Sequence, residues 1–343
     1  MNRRTLLATL GAGVFAGCTG SDSTARTTDA TTTDETTTAG ETTTGDKTHE
    51  ADDTETADSE SGERALAVGE RVDDQQLSMV VRDVSKTDKL GEFTTAGSGN
   101  TFVVVRLAVK NTTKDTYLGF SGFLQTRAKD DSGYTYDQSL SATDQTFTGG
   151  QLVPGEVSRG DIVYEVPKDA SGLTLQFDFR AVSFLTVDRV TVDLESTADS
   201  VADLKQDLGV DVHDTGKSVS HGGVGVTVNG VEYADTLGDF AQAGEGNEYA
   251  IVDITTRNGT GKAQHISTAL QMLAKDGKGR SYSLSIDAAT ALDRPYDEAS
   301  ALADGEKRRG KVAYEVPKGV SPLYWTFEYS LWTDGDKTFW KLR

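Results

Sequence analysis

Gly99-Asn100-Thr101-Phe102-Val103-Val104-Val105-Arg106-Leu107-Ala108-Val109-Lys110-Asn111-Thr112-Thr113 returns later in the same chain as Gly246-Asn247-Glu248-Tyr249-Ala250-Ile251-Val252-Asp253-Ile254-Thr255-Thr256-Arg257-Asn258-Gly259-Thr260. Each run opens on Gly-Asn, is dense in β-branched and aromatic residues, and ends on an asparagine, the pattern of a buried strand closed by a turn. Upstream, Leu90-Gly91-Glu92-Phe93 matches Leu237-Gly238-Asp239-Phe240 in the same register. Downstream, Gly155-Glu156-Val157-Ser158-Arg159-Gly160 through Tyr164-Glu165-Val166-Pro167-Lys168 matches Gly305-Glu306-Lys307-Arg308-Arg309-Gly310 through Tyr314-Glu315-Val316-Pro317-Lys318. Similarity held in register over this distance marks two copies of one domain.

Both copies read as strands. An early strand is expected over Gln76–Val84 and Val224–Val231, ahead of the long central run. Lys129-Asp130-Asp131-Ser132-Gly133 and Lys275-Asp276-Gly277-Lys278-Gly279 supply the positive-φ positions a hairpin needs. Pro167 and Pro317 should each close a strand, because proline cannot donate to a ladder. Beyond them Leu173, Leu175, Phe177 and Phe179 alternate onto one face, matched by Leu323, Trp325, Phe327 and Tyr329. Ser200–Leu208 is the one helix-like stretch. The fold class is thus all-β, two tandem immunoglobulin-like sandwiches without the inter-sheet disulfide, over 64–196 and 213–343 with a linker at 197–212.

The chain has 343 residues and is 36% hydrophobic, enough for two cores. Its 36 glycines and 5 prolines suit many strands joined by tight turns. A formal net charge of -20 argues against nucleic acid, which needs clustered Lys and Arg. An acidic, mixed-sign surface is also the habit of proteins from very salty surroundings, where the screening length falls to about 3 Å at 1 M salt. On that halophilic reading, the folded part melts at lower temperature in dilute buffer than in molar salt, and equal melting temperatures would end it.

The N-terminus reads as an address. Residues 1–18 have a basic start, a short apolar run and small residues before the single cysteine, Cys18, which leaves no partner for a disulfide. Thr5–Gly17 is shorter than the roughly 20 residues a membrane-crossing helix requires. Arg3 and Arg4, followed by Thr5-Leu6-Leu7, are similar to a twin-arginine export signal, and Phe15-Ala16-Gly17-Cys18 resembles a lipobox in which Cys18 becomes the lipid-bearing residue. One acyl chain anchors only marginally, so a second lipid is expected. Residues 19–63 form a Thr/Asp/Glu-rich stalk that cannot bury a core, with a coil span of roughly 35 to 40 Å. The expected location is the extracellular face of the cell membrane, lipid-anchored.

The apolar strand ending in Asn-Thr, the later Asp/Gly hairpin, and the Pro154-Gly155-Glu156, Arg159-Gly160 and Tyr164-Glu165-Val166-Pro167-Lys168 series resemble the DUF4352 family, over about 68–182 and again over 215–330. The second copy departs from the pattern with Ala303-Asp304-Gly305 where the first has Val153-Pro154-Gly155. The resemblance implies an extracellular immunoglobulin-like domain of the kind found on bacterial and archaeal lipoproteins. It implies no catalytic residue.

Site readings follow by type. His213, His221 and His265 lack metal-ligand spacing and Cys18 is the only thiol, so no metal and no cofactor is expected. Gly119-Phe120-Ser121-Gly122 falls one residue short of a nucleophile elbow, and Gly222-Gly223-Val224-Gly225 reads as a hairpin. Asp130, Asp131, Asp137 and Asp276 offer oxygens for calcium or simply acidic turns. Asn111 and Asn258 both lie in Asn-x-Thr sequons, open to N-glycosylation in an exported protein. Trp332, Tyr324 and Trp340 with Asp334-Gly335-Asp336 offer aromatic surface for a glycan or partner, or edge packing. The expected function is non-catalytic, a surface lipoprotein whose tandem domains bind or display a protein, glycan or envelope component. The alternative is an envelope hydrolase using dispersed carboxylates on a polysaccharide, in which two carboxylates would stand roughly 5 to 10 Å apart in a pocket.

Overall fold

The computed structural model describes residues 63–141, 143–179, 188–329 and 336–343. The readings on Arg3, Arg4, Cys18, the stalk and Trp332 lie outside these residues. Both repeats fall within one compact unit, Ala57–Arg343.

In the first repeat the strands are β1 (Glu63–Val68), β2 (Arg71–Asp73), β3 (Leu77–Thr87), β4 (Lys89–Leu90), β5 (Thr94–Thr95), β6 (Asn100–Asn111) and β7 (Leu118–Phe120). A single helical turn, α1 (Gly122–Gln125), precedes β8 (Thr126–Lys129), β9 (Thr135–Tyr136), β10 (Gly150–Leu152), β11 (Val157–Pro167), β12 (Thr174–Asp178) and β13 (Arg189–Thr197). The second repeat has β14 (Val212–Asp214), β15 (Ser218–His221), β16 (Val224–Ala234), β17 (Thr236–Leu237), β18 (Ala241–Gln242) and β19 (Asn247–Asn258). It continues with α2 (Thr268–Gln271), β20 (Met272–Asp276), β21 (Ser281–Tyr282), α3 (Ile286–Ala291), β22 (Lys307–Pro317), β23 (Leu323–Glu328) and β24 (Lys337–Lys341).

Sheet order repeats with the sequence. A five-stranded sheet β1-β13-β12-β8-β9 faces a four-stranded sheet β11-β6-β3-β2, and β14-β24-β23-β20-β21 faces β15-β16-β19-β22. Each repeat is an immunoglobulin-like β-sandwich. In both, the first strand joins the last in parallel, β1 on β13 and β14 on β24. The cores are the expected alternating faces: Val103, Val105, Leu107 and Val109 of β6 meet Leu175, Phe177 and Val190 of the opposite sheet. Val226, Val252 and Ile254 belong to one core with Trp325, Phe327 and Trp340. Pro167 and Pro317 are the last residues of β11 and β22, as their missing N–H requires.

The central runs are apolar on both faces because the outer face of each four-stranded sheet is also covered. In the first repeat Phe102 and Val104 lie under Leu90 of the β4–β5 hairpin, and Ala108 and Val157 under Leu204. Leu204 belongs to the stretch between β13 and β14, which corrects the helix expected over Ser200–Leu208: this stretch has no helix. Its backbone is satisfied by the sandwich instead. Ala202 N donates to Gly69 O at 2.9 Å, Asp207 N to Gly155 O at 3.0 Å and Gly209 N to Pro154 O at 2.8 Å. Of the apolar residues at helical spacing, Leu204 is buried while Val201 is left exposed, so these backbone bonds and the single Leu204 contact hold the stretch.

Candidate functional site

The turn before β11 organises the contact between the sandwiches. Gly155 takes φ +75°, and Glu156 folds back so that its Oε2 accepts from Val153 N at 2.9 Å. The second repeat builds the same turn, with Gly305 at φ +77° and Glu306 Oε2 accepting from Ala303 N at 2.8 Å. The asparagine closing each central strand stitches this turn down. Asn111 Nδ2 donates to Thr116 O at 2.7 Å and Leu152 O at 2.8 Å, and Asn258 Nδ2 donates to Lys262 O at 2.6 Å and Leu302 O at 2.8 Å.

Both asparagines are fully buried, which overturns the sequon reading: in the folded sandwich neither amide nitrogen is available to a glycan. The threonine of each Asn-x-Thr is instead a hydrogen-bond partner, Thr113 and Thr260 donating to the asparagine Oδ1. Intact-mass measurement of protein from its native host therefore finds no glycan on Asn111 or Asn258. Asn111→Ala, which strands the buried Leu152 carbonyl and the partly buried Thr116 carbonyl, costs about 1–3 kcal/mol in a denaturant melt.

The two turns differ in what covers them. Glu156 has no exposed surface, and its Oε1 accepts from Lys275 Nζ and from Lys337 Nζ, both at 2.7 Å and both from the second repeat. Lys337 Nζ also donates to Gln151 O at 3.1 Å and stands 3.6 Å from Glu328. Burial alone would raise the Glu156 carboxyl, but the ammonium charges of Lys275 and Lys337 outweigh it and hold the group below its ordinary 4.5. Burial pushes Glu328 above 4.5.

The two shifts act on stability with opposite sign. The contribution from Glu156 is complete above pH 4.5 and is lost as pH falls through its lower folded value, whereas that from Glu328 is complete below 4.5 and is lost as pH rises. Glu156→Gln should therefore flatten the acid limb of the stability curve by up to one proton, about 1.4 kcal/mol per pH unit. An unchanged acid limb in that variant would show that Glu156 is not the ionised member of the cluster.

Around this cluster the β20–β21 hairpin presses on β11. Asp276 shapes it, Oδ1 accepting from Lys278 N at 2.8 Å and Arg280 N at 2.9 Å while Oδ2 accepts from Tyr282 OH at 3.1 Å. Asp130 does the same in the first repeat with Tyr134 N, Ser132 and Tyr136. These aspartates are turn caps. Asp131 accepts from Ser171 at 2.8 Å and Asp137 pairs with Arg127 at 2.9 Å, so the four acids face different partners. Among the described residues no cluster of His, Cys, Asp and Glu has metal-binding geometry. Arg159 N donates to Gly279 O at 2.9 Å, and Gly279, at φ +89°, lies so close to Val157 that a Cβ there would stand 2.5 Å from its carbonyl oxygen.

The junction leaves a cleft. A cavity of about 870 Å³ is lined from the first repeat by Thr143–Thr146 and Arg159, and from the second by residues that include Asn247, Arg280, Ser281–Ser283 and Glu315. A second cavity, of about 340 Å³, shares Gln145, Arg159 and Arg280 with it and adds Arg82, Arg106 and Lys278. Its anions are committed: Asp203 is shared by Arg82 at 2.6 Å and Arg159 at 2.7 Å, and Asp161 takes Arg106 at 3.0 Å.

Most of the other residues singled out from the sequence are not in the cleft. Ser121 is the N-cap of α1, its side chain accepting from Leu124 N, and Gly222-Gly223 form the turn between β15 and β16 with φ +55° and +88°. His221 meets Asp336 at 3.1 Å, and His213 lies near Trp340. Trp340 is buried core, 5.4 Å from Trp325 between ring centroids, so the edge-packing reading holds for it. Among the described residues the rings that stand furthest into solvent are Phe93 and Phe240, 93% and 98% exposed at equivalent hairpin tips. The cleft itself went unread, although the copies carried its signal. Pro154 and Val157, at the covered turn, are replaced in the second copy by Asp304 and Lys307, where the turn meets solvent.

Comparison with known proteins returns no match among curated proteins. Solved structures that resemble the chain include an uncharacterised β-sandwich protein from Clostridium difficile (19% identity, 39% of this chain and 97% of that one, TM-score 0.28). They also include the yjhA protein from Bacillus subtilis (19%, 38% and 100%, 0.32) and a secreted protein from Mycobacterium tuberculosis (15%, 38% and 95%, 0.30). Likenesses this distant say nothing of what the chain does. The DUF4352 model, a domain of unknown function, matches residues 66–183 and again 213–337, more than half of the chain, and the chain belongs to that family in two copies.

Proposed function

We propose that the protein is a non-catalytic binding protein of the cell surface, held by a lipid on Cys18, whose paired sandwiches present the cleft at their junction to a ligand or envelope component. The observation that supports this is the buried Glu156–Lys275–Lys337 contact, which fixes the second sandwich on the first and so holds both walls of the cleft in place. Binding by a preformed cleft loses little to reorganisation. The hydrolase reading needs a carboxylic acid raised for proton donation beside a second carboxylate. Among the described residues the carboxyl pushed upward is Glu328, which faces Lys337 and does not line either cavity of the cleft.

The test is capture from native envelope at native salt with the full chain, beside Arg280→Gln and a Phe93→Ser/Phe240→Ser pair. A ligand lost with Arg280→Gln and kept with the phenylalanine pair supports the cleft. The reverse pattern moves the binding face to the hairpin tips.

A further inference from the structure

The cleft has a cationic end in an acidic protein. Five basic side chains, Arg82, Arg106, Arg159, Lys278 and Arg280, line the smaller cavity of a chain whose formal net charge is -20. Asp203 pairs with Arg82 and Arg159, and Asp161 pairs with Arg106, beside which Asp83 adds a further negative charge. Among the described residues no carboxylate lies within ion-pair distance of Lys278 or Arg280. Arg280 contacts the Tyr282 hydroxyl. The Arg159 side chain is 12% exposed, against 27% for Arg82 and 42% for Arg106, and its Nε–H lies out of solvent with no hydrogen-bond partner among the described residues. Nη2 of the same group donates to Asp203 and to Leu204 O. A buried donor left unpaired costs about 1–3 kcal/mol, and like charges gathered in one cavity repel. An anion in the cavity relieves that repulsion, and a guanidinium fork such as that of Arg280 matches the planar, two-oxygen face of an oxyanion.

Beyond Arg159 and Arg280 the lining changes character. The larger cavity offers the hydroxyls of Ser281 and Ser283 and the carboxylates of Asp144 and Glu245 to sugar hydroxyls, while its third carboxylate, Glu315, is held by Asn247 Nδ2 at 2.8 Å and Gly244 N at 2.8 Å. At about 870 Å³ it is the size of a small-ligand site.

Resting on the reading of the junction as a binding cleft, the geometry points to an acidic carbohydrate as its ligand, with a carboxylate or sulfate group seated between Arg159, Arg280 and Lys278 and the sugar hydroxyls in the larger cavity. Lys278 is exposed and Arg280 half-buried on the hairpin surface, so both can be changed without opening a core.

The test is calorimetric titration of the full chain with digalacturonate, with neutral digalactose, and with sodium sulfate as competitor, at fixed ionic strength. The expected result is one digalacturonate per chain, at least tenfold weaker binding of digalactose, and displacement by sulfate. Arg280→Gln and Lys278→Gln should each weaken digalacturonate about tenfold with melting temperatures unchanged. Equal affinity for the neutral disaccharide, or full affinity in both variants, overturns the inference. If the neutral sugar binds and Ser283→Ala weakens it, the cleft reading stands while the anionic ligand falls. If none of the three probes binds and envelope capture depends on Phe93 and Phe240, both fall.

Discussion

Glu156→Gln lowers the stability of the two-sandwich unit by about 3–5 kcal/mol in a denaturant melt, because it leaves the buried ammonium groups of Lys275 and Lys337 without their shared counter-charge. The same change at the matching residue of the second copy, Glu306→Gln, should be close to silent. Glu306 keeps the local turn bond but sits at the surface, where among the described residues it pairs with Arg308 alone. The contrast isolates the contact between sandwiches from the turn that both copies share. Because the lost interaction joins the repeats, the parent is expected to unfold in one transition and the variant in two. Replacing all three residues by apolar ones of similar volume, Glu156→Leu with Lys275→Met and Lys337→Met, should recover most of the loss. A variant Glu156→Gln that melts like the parent would mean the lysines reach water, and the cleft walls would then be free to move.

Trp340→Ala should cost about 3–5 kcal/mol, confined to the second sandwich. The ring is fully buried, packs on Trp325, and donates from Nε1 to Lys217 O at 2.9 Å, so truncation opens a cavity and strands a carbonyl. Trp340→Phe fills much of the space and should lose less. The measurement pairs a melt with ligand capture at a temperature where both variants remain folded. Unchanged stability together with lost capture would place Trp340 in a binding face and contradict its burial.

The fold was readable because each copy checks the other. A strand such as Asn100–Asn111 is ambiguous alone, since its apolar residues run continuously, but the matched run at Asn247–Asn258, the paired Asp/Gly hairpins and the prolines at 167 and 317 admit one register. What sequence periodicity could not give is the cover on the outer faces. Leu204 reads as part of a helix because three- and four-residue spacing is the only local signal there, while the carbonyls of Gly69, Pro154 and Gly155 that claim its backbone come from elsewhere in the chain.

The site was less legible for the same reason. Arg82, Arg106, Arg159, Lys278 and Arg280 are scattered over nearly 200 residues; the first three come together on one sheet of the first repeat, and Lys278 and Arg280 join them only once the second repeat has docked on it. Asn111 and Asn258 misled in the opposite direction. An Asn-x-Thr triplet looks like an acceptor for sugar, yet here the amide and the hydroxyl are spent on closing the turn that carries Glu156 and Glu306. The useful signal lay in the differences between the copies. Val157 against Lys307 is a substitution from apolar to charged at a matched position, and it marks which apex is covered.

The parallel pairing of β1 with β13 has a mechanical side. Any pull delivered through the residues before Glu63 arrives along the axis of β1, whose residues pair from Glu63 with Arg189 to Ala67 with Asp193 before the bulge at Val68. Tension in that direction loads the rungs of the ladder together, in shear, and they must fail at once. An antiparallel hairpin peeled from its open end gives way one rung at a time. The first sandwich therefore takes such a load through the stronger of the two geometries, one that resists forces able to unzip a hairpin.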